Sequence, residues 1–208
     1  MSDDKRLLST YETFNYTPEM IKESREQNDG KIIMKGILQK ADTLNQNGRI
    51  YPIEILEREV RNYQKFIQER RALGELDHPD TSVVNLKNVS HLVTSAYLEG
   101  GTVYGTVEIL DTPSGKILQD LVASGVKLGI SSRGVGSTRK EGDYHVVQDD
   151  FQLICWDYVS EPSTPGAFML PEGKRISTEE LNRTFTQSAR IVTGKHGSRL
   201  LFWLNQHP

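Results

Sequence analysis

The sequence predicts an α+β protein: mostly antiparallel β, with a barrel-like core and two to three helices. Three observations carry this expectation. Strand-like runs fill Lys31–Lys40 and most of Val89–Val159. Glu99-Gly100-Gly101 joins two of those runs as a tight hairpin. The segment from Pro52 is the one long stretch in which apolar residues recur at helical rather than strand spacing.

Residues 1–29 are polar, rich in Glu, Asn, Lys and Ser, and read as a loosely held arm with a short helix after Thr17-Pro18. Lys31–Lys40 is a strand, and Asp42–Arg49 a polar loop with an Asn-Gly turn. Proline suits a first helical position, so the helix opens at Pro52. Its stripe is Ile53, Leu56, Val60, Tyr63 and Ile67, with charged and amide residues opposite.

Val89–Leu98 and Thr102–Leu110 form the hairpin strands. A second helix spans Pro113–Ala123, with Ile117, Leu118, Leu121 and Val122 inward and Gly125 as its stop. Val126–Ser132 and His145–Val159 are further strands. Ser177-Thr178-Glu179-Glu180 has the form of a capping box and opens a third helix through Ser188. The chain thus divides into an arm (1–29), a body (30–172) and a C-terminal helix and tail (173–208).

Composition removes several function classes. With 36% apolar and 25% charged residues the chain has the make-up of a soluble globular protein. A net charge of −3 gives no long-range attraction for nucleic acid, and the nearest basic cluster, Glu69-Arg70-Arg71, ends a predicted helix. No apolar run approaches the ~20 residues that span a bilayer, and the N-terminus lacks the apolar core of a signal peptide. Cys155 is the single cysteine, which excludes an internal disulfide and every multi-cysteine zinc pattern.

Two short segments bear chemistry. Gly74–Pro79 (GELDHP) holds His78 in a proline-ended turn, and Gly129–Gly134 (GISSRG) carries Ser131 and Ser132 at the end of an apolar strand. Serine and histidine make a nucleophile and its general base if the fold joins them. Strand alternation puts Val126, Leu128, Ile130 and Ser132 on one face, and Lys127, Gly129, Ser131 and Arg133 on the other. If the aliphatic face is the core, Ser131 points out toward substrate, with Gly129 leaving room for a substrate backbone. The plainer reading is that the serines merely end a strand.

His78 is otherwise a turn histidine bonded to carbonyls; His91, mid-strand, is the competing base and reads as structural. Asp157 sits inside the apolar run Ile154–Val159, where an unpaired carboxylate is costly, so a partner such as His78 is expected. Asp77 and Asp80 are local alternatives. A metal site from Asp77, His78 and Asp80 lacks any helical pair of ligands to support it.

The chain resembles the prohead core proteases of large tailed bacteriophages, which are distantly similar to herpesvirus assemblins. The resemblance covers residues 31–170. It rests on N-x-N-x-R-x-Y-P at Asn45–Pro52, A-L-G-E-L-D-H-P at Ala72–Pro79, G-I-S-S-R-G at Gly129–Gly134 and the Asp157…Glu161-Pro162-Ser163 stretch.

The resemblance implies an assemblin-like serine endopeptidase with His78 as base and Ser131 as nucleophile, needing no metal or organic cofactor. Assemblin-like enzymes use a second histidine as third member. Here His145 is the only mid-strand option, and Asp157 is preferred. Backbone N–H groups of Arg133 and Gly134 would form the oxyanion hole. The implied substrates are phage scaffold or core proteins and the major capsid protein, cut after glutamate with Leu or Ile two residues earlier. The implied setting is the assembling prohead in the host cytoplasm, with the protease as a homo-oligomer.

Ile21-Lys22-Glu23 fits the cleavage pattern within the arm, so self-cleavage after Glu23 is expected as part of activation. Glu57 and Glu69 fit it too, but lie on the predicted helix. Lys127 and Arg133, on the Ser131 face, are expected to pair with the substrate glutamate. The tail after Arg190 is a candidate removable or docking segment. The rival readings are a non-catalytic β-barrel component of a phage particle and a metal-dependent hydrolase.

Overall fold

The computed structural model describes residues 16–172. The body is built on five strands hydrogen-bonded in the order β10-β1-β5-β4-β3: β1 (Ile32–Lys40), β3 (Leu73–Glu75), β4 (Val89–Glu99), β5 (Thr102–Ile109) and β10 (Met169–Pro171). All its pairings are antiparallel. A separate ladder joins β6 (Gly129–Val135) to β9 (Gln152–Val159), also antiparallel. Single bridges tie this ladder to both ends of the large sheet: Leu76 to Tyr158 beyond β3, and Gly129 to Phe168 before β10. The seven strands form the mostly antiparallel core of the expected α+β fold, the two ladders joined by single bridges rather than closed into a full barrel.

Outside this core lies a small sheet of β2 (Arg49–Ile50), β8 (Tyr144–Val147) and β7 (Thr138–Glu141), in the order β2-β8-β7. Three helices cover the strands: α1 (Pro18–Gln27), α2 (Ile53–Gln68) and α3 (Pro113–Ala123). No helix among the described residues is long and apolar enough to cross a membrane.

The helix signals act as their chemistry predicts. Thr112 caps α3 by accepting from the Gly115 amide at 3.0 Å, Pro113 stands at its first position and Gly125 follows it with φ 77°. In α2, Ile55, Leu56, Val60 and Tyr63 are buried, whereas Ile53 lies at the surface. The inward face also takes Glu59, whose carboxylate accepts from Arg58 and, at 2.8 Å, from the Leu153 amide. Tyr63 meets Trp156 edge to face, with centroids 4.8 Å apart, which anchors α2 on the β9 side of the core.

Two expectations are corrected. The single strand predicted over His145–Val159 is two, β8 and β9, broken by a turn around Asp149-Asp150; Asp150 caps the facing turn by accepting from Ser137. The arm is not loose over residues 16–29. Those residues include α1, which buries Ile21 and Ser24, and the Ser24 hydroxyl bonds the Ile33 backbone. Glu23 therefore lies on a packed helix, like Glu57. The third helix from Ser177 and the tail after Arg190 lie outside the described residues.

His91 is the structural histidine anticipated. It is fully buried, its Nε2 donates to the Trp156 carbonyl at 2.9 Å and its Nδ1 accepts from Ser90. Burial holds its pKa down, to about 4, against the opposing pull of the carbonyl and of Asp157. A histidine neutral in the fold but basic when unfolded is stabilising above the unfolded value of 6.5, and this is lost as pH falls toward 4. About 3 kcal/mol is at stake in that window. Urea unfolding at pH 7 and 4.5 is expected to show the loss in the wild type and a flatter response in His91→Gln; equal slopes would refute it.

Candidate active site

β9 places Asp157 with its carboxylate fully buried, and four donors converge on it. Oδ1 accepts from the Glu75 amide at 2.9 Å, from Arg133 Nη2 at 3.2 Å and from Cys155 Sγ at 3.2 Å. Oδ2 takes Arg133 Nε at 2.8 Å and lies 3.0 Å from His78 Nδ1. Burial alone would raise the pKa of Asp157, but the bonds from His78, Arg133, Glu75 and Cys155 outweigh it and bring it to about 2. The carboxylate is thus held as an anion. Its neighbour Cys155 is pushed up, first by burial and then by Asp157, so its thiol stays protonated and unreactive.

His78 enters from the loop after β3. The Asp77 amide donates to the Tyr158 carbonyl, and Asp77 itself takes φ 71°, the left-handed conformation that Asp tolerates better than most residues. The Asp77 carboxylate accepts the His78 amide rather than its ring. With Nδ1 on Asp157, Nε2 has no partner among the described residues, and the ring is 37% exposed. The rest of the loop is strapped down by Arg133, whose Nη1 donates to the Thr81 carbonyl at 2.9 Å, and by Glu75, which accepts the Asn85 amide at 2.9 Å.

The serines lie on β6. Ser131 is directly opposite Asp157 in the ladder, so the two side chains emerge on one face; Ser132 is opposite Trp156 on the other. Both faces of β6 are covered, which the alternation argument did not anticipate. Ile130 is buried on one side, and on the other Ser131 is only 7% exposed, its hydroxyl 3.1 Å from that of Ser163. Gly129 does not leave space for a substrate: a Cβ there would run into the Pro162 ring.

A cavity of about 400 Å³ opens beside His78, lined among others by Asn47, Arg49, Asp80, Ser132 and Gly134. Ser131 is not among the lining residues. The Ile130 amide donates to the Ala167 carbonyl, on the edge of β6 away from β9. By alternation the amide of Ser132 faces that same edge and those of Ser131 and Arg133 face β9; the ladder shifts register between Arg133 and Gly134. The Arg133 amide thus points into the ladder, whereas Gly134 lines the cavity.

The Arg133 side chain is corrected as well. It is 4% exposed and paired with Asp157 and, at 2.6 Å, with Glu75, so it is not available to a substrate carboxylate. Lys127 precedes β6 and does not line the cavity. His145, the alternative third member, sits on β8 with Nδ1 3.3 Å from the Thr138 hydroxyl, paired in its strand with Arg49 rather than with His78. Glu75 has no role in the sequence reading, although it stands in the Ala72–Pro79 motif. The signal was a second carboxylate inside a strand-forming segment, which needs a cation just as Asp157 does.

A histidine braced by a buried carboxylate shares a cavity wall with the strand that carries both serines, and these are the residue types a serine hydrolase uses. The chain belongs to the prohead core protein serine protease family, whose model matches residues 13–179. It is 32% identical over 160 residues to the prohead core protein protease of Enterobacteria phage T4, covering 71% of this chain and 75% of that protein. Among solved structures, the capsid assembly protease of bacteriophage T4 is similar with a TM-score of 0.57 and 29% identity, covering 61% of this chain and 80% of that one.

Proposed function

We propose that this chain is a capsid-maturation serine endopeptidase that acts inside an assembling phage prohead on scaffold and capsid proteins. The observation that carries the mechanism is the His78–Asp157 pair at 3.0 Å on the face of β9 that Ser131 shares across the ladder. Ser131 Oγ attacks the scissile carbonyl and its proton passes to His78 Nε2. Asp157 keeps the proton of His78 on Nδ1 and stabilises the imidazolium as it forms. The Gly134 amide, with that of Ser132, receives the oxyanion. His78 then returns the proton to the leaving amine, and water repeats the sequence on the acyl-enzyme.

Cleavage after glutamate is the specificity we assign, by analogy with the family. Incubating the purified chain with the scaffold and capsid proteins of its own phage, followed by mass mapping of new termini, is expected to give cuts after glutamate. Insensitivity to chelator is expected with it, and loss of cutting in chelator would favour a metal-dependent hydrolase.

Self-cleavage after Glu23 requires α1 to unwind first, because a protease binds its substrate extended. An N-terminus that stays intact in fully active protein would overturn that step. A second reading is favoured by one observation, that Ser132 and not Ser131 lines the cavity. In that reading Ser132 is the nucleophile.

A further inference from the structure

The cavity beside His78 has two cationic side chains in its wall, and they are in opposite condition. Arg133 is buried and fully engaged by two carboxylates and the loop after β3. Arg49 is exposed, and its guanidinium makes no hydrogen bond or ion pair with any described residue.

The Arg49 backbone is held firmly all the same. Its amide donates to Asn45 Oδ1 at 2.9 Å, and β2 pairs in parallel with β8. Gly48, at φ 69°, makes the turn that delivers it, and the Gln46 amide ties the same turn to the Ser163 carbonyl beside Ser131. A guanidinium on a firmly held backbone, without a partner among the described residues and in the wall that also carries His78, Ser132 and Gly134, is suited to take a carboxylate. Asp80, also in the wall and exposed, adds a negative charge to the cleft.

We propose that Arg49 is the specificity residue of the cleft, receiving the acidic side chain of the peptide residue beside the scissile bond. This rests on the protease reading above and replaces Lys127 and Arg133 in that role. A fork of two N–H donors favours a carboxylate over its amide isostere, so the discrimination is about tenfold or more.

The test uses peptides copied from residues 17–28 of this chain, with Glu23 kept as Glu or replaced by Gln. The wild type is expected to cleave the Glu peptide at least about tenfold better by kcat/KM. In Arg49→Met the ratio is expected to collapse to near one, and Arg49→Lys is expected to recover part of it. A ratio that survives in Arg49→Met overturns the proposal while leaving the protease reading intact. Wild-type protein that cuts neither peptide nor scaffold overturns both.

Discussion

Ser131→Ala and His78→Ala are each expected to lower cleavage of scaffold protein by at least ~10³-fold, and the double variant to be little worse than either. The non-additivity matters as much as the size. Nucleophile and base act as one unit, so removing either removes the same step. Asp157→Asn, which disturbs the tautomer of His78, is expected to fall in the same range. Ser132→Ala is the informative control, because Ser132 shares the strand and lines the cavity but stands on the other face from Asp157. Intact-mass spectrometry of a timed digest reads all of these. Cutting by Ser131→Ala but not by Ser132→Ala would transfer the nucleophile by one residue.

The largest expected loss of stability comes from Arg133→Met. That side chain fits the space but leaves Asp157 and Glu75, each 0% exposed, without their cation. Breaking a buried pair from one side costs about 3–5 kcal/mol.

The pH dependence has a definite sign. The folded pKa of Asp157 lies below its ordinary 3.8, near 2, so its contribution is complete above pH 3.8 and is lost as pH falls through 2. In the variant Asp157 lacks that support and tolerates protonation. The gap between wild type and Arg133→Met is therefore widest at neutral pH and narrows below about pH 4. Urea unfolding at pH 7 and pH 3.5 measures it. A gap under about 1 kcal/mol at neutral pH would mean that water reaches the two carboxylates.

Elements whose signals are local could be read from the sequence. α3 is legible because Pro113 and Gly125 each act within one turn of the backbone. The β4–β5 hairpin followed from two glycines between alternating runs, and Gly100 and Gly101 both take positive φ. Strands of two or three residues such as β2, β3 and β10 were missed, since what makes them strands is the partner beside them.

The site divides in the same way. The pairing of Asp157 with His78 was inferable from the cost of a carboxylate in an apolar run. The fate of Arg133 was not, because it depends on Glu75, 58 positions away, and on a strand whose two faces are both covered. Period-two reasoning divides a strand's residues between faces correctly but cannot say which face meets water.

One guanidinium serves two carboxylates and two carbonyls of the loop that carries His78. Such a knot shapes how the protein can change over generations. Altering Glu75, Arg133 or Asp157 alone strands the others as buried, unmatched charges, so their effects cannot add, and an acceptable replacement has to arrive as a set. Arg49, by contrast, is held by its backbone and makes no side-chain hydrogen bond or ion pair with any described residue, so its side chain can be exchanged without disturbing the knot. The preference for what is cut can therefore drift by single substitutions while the machinery that does the cutting stays locked.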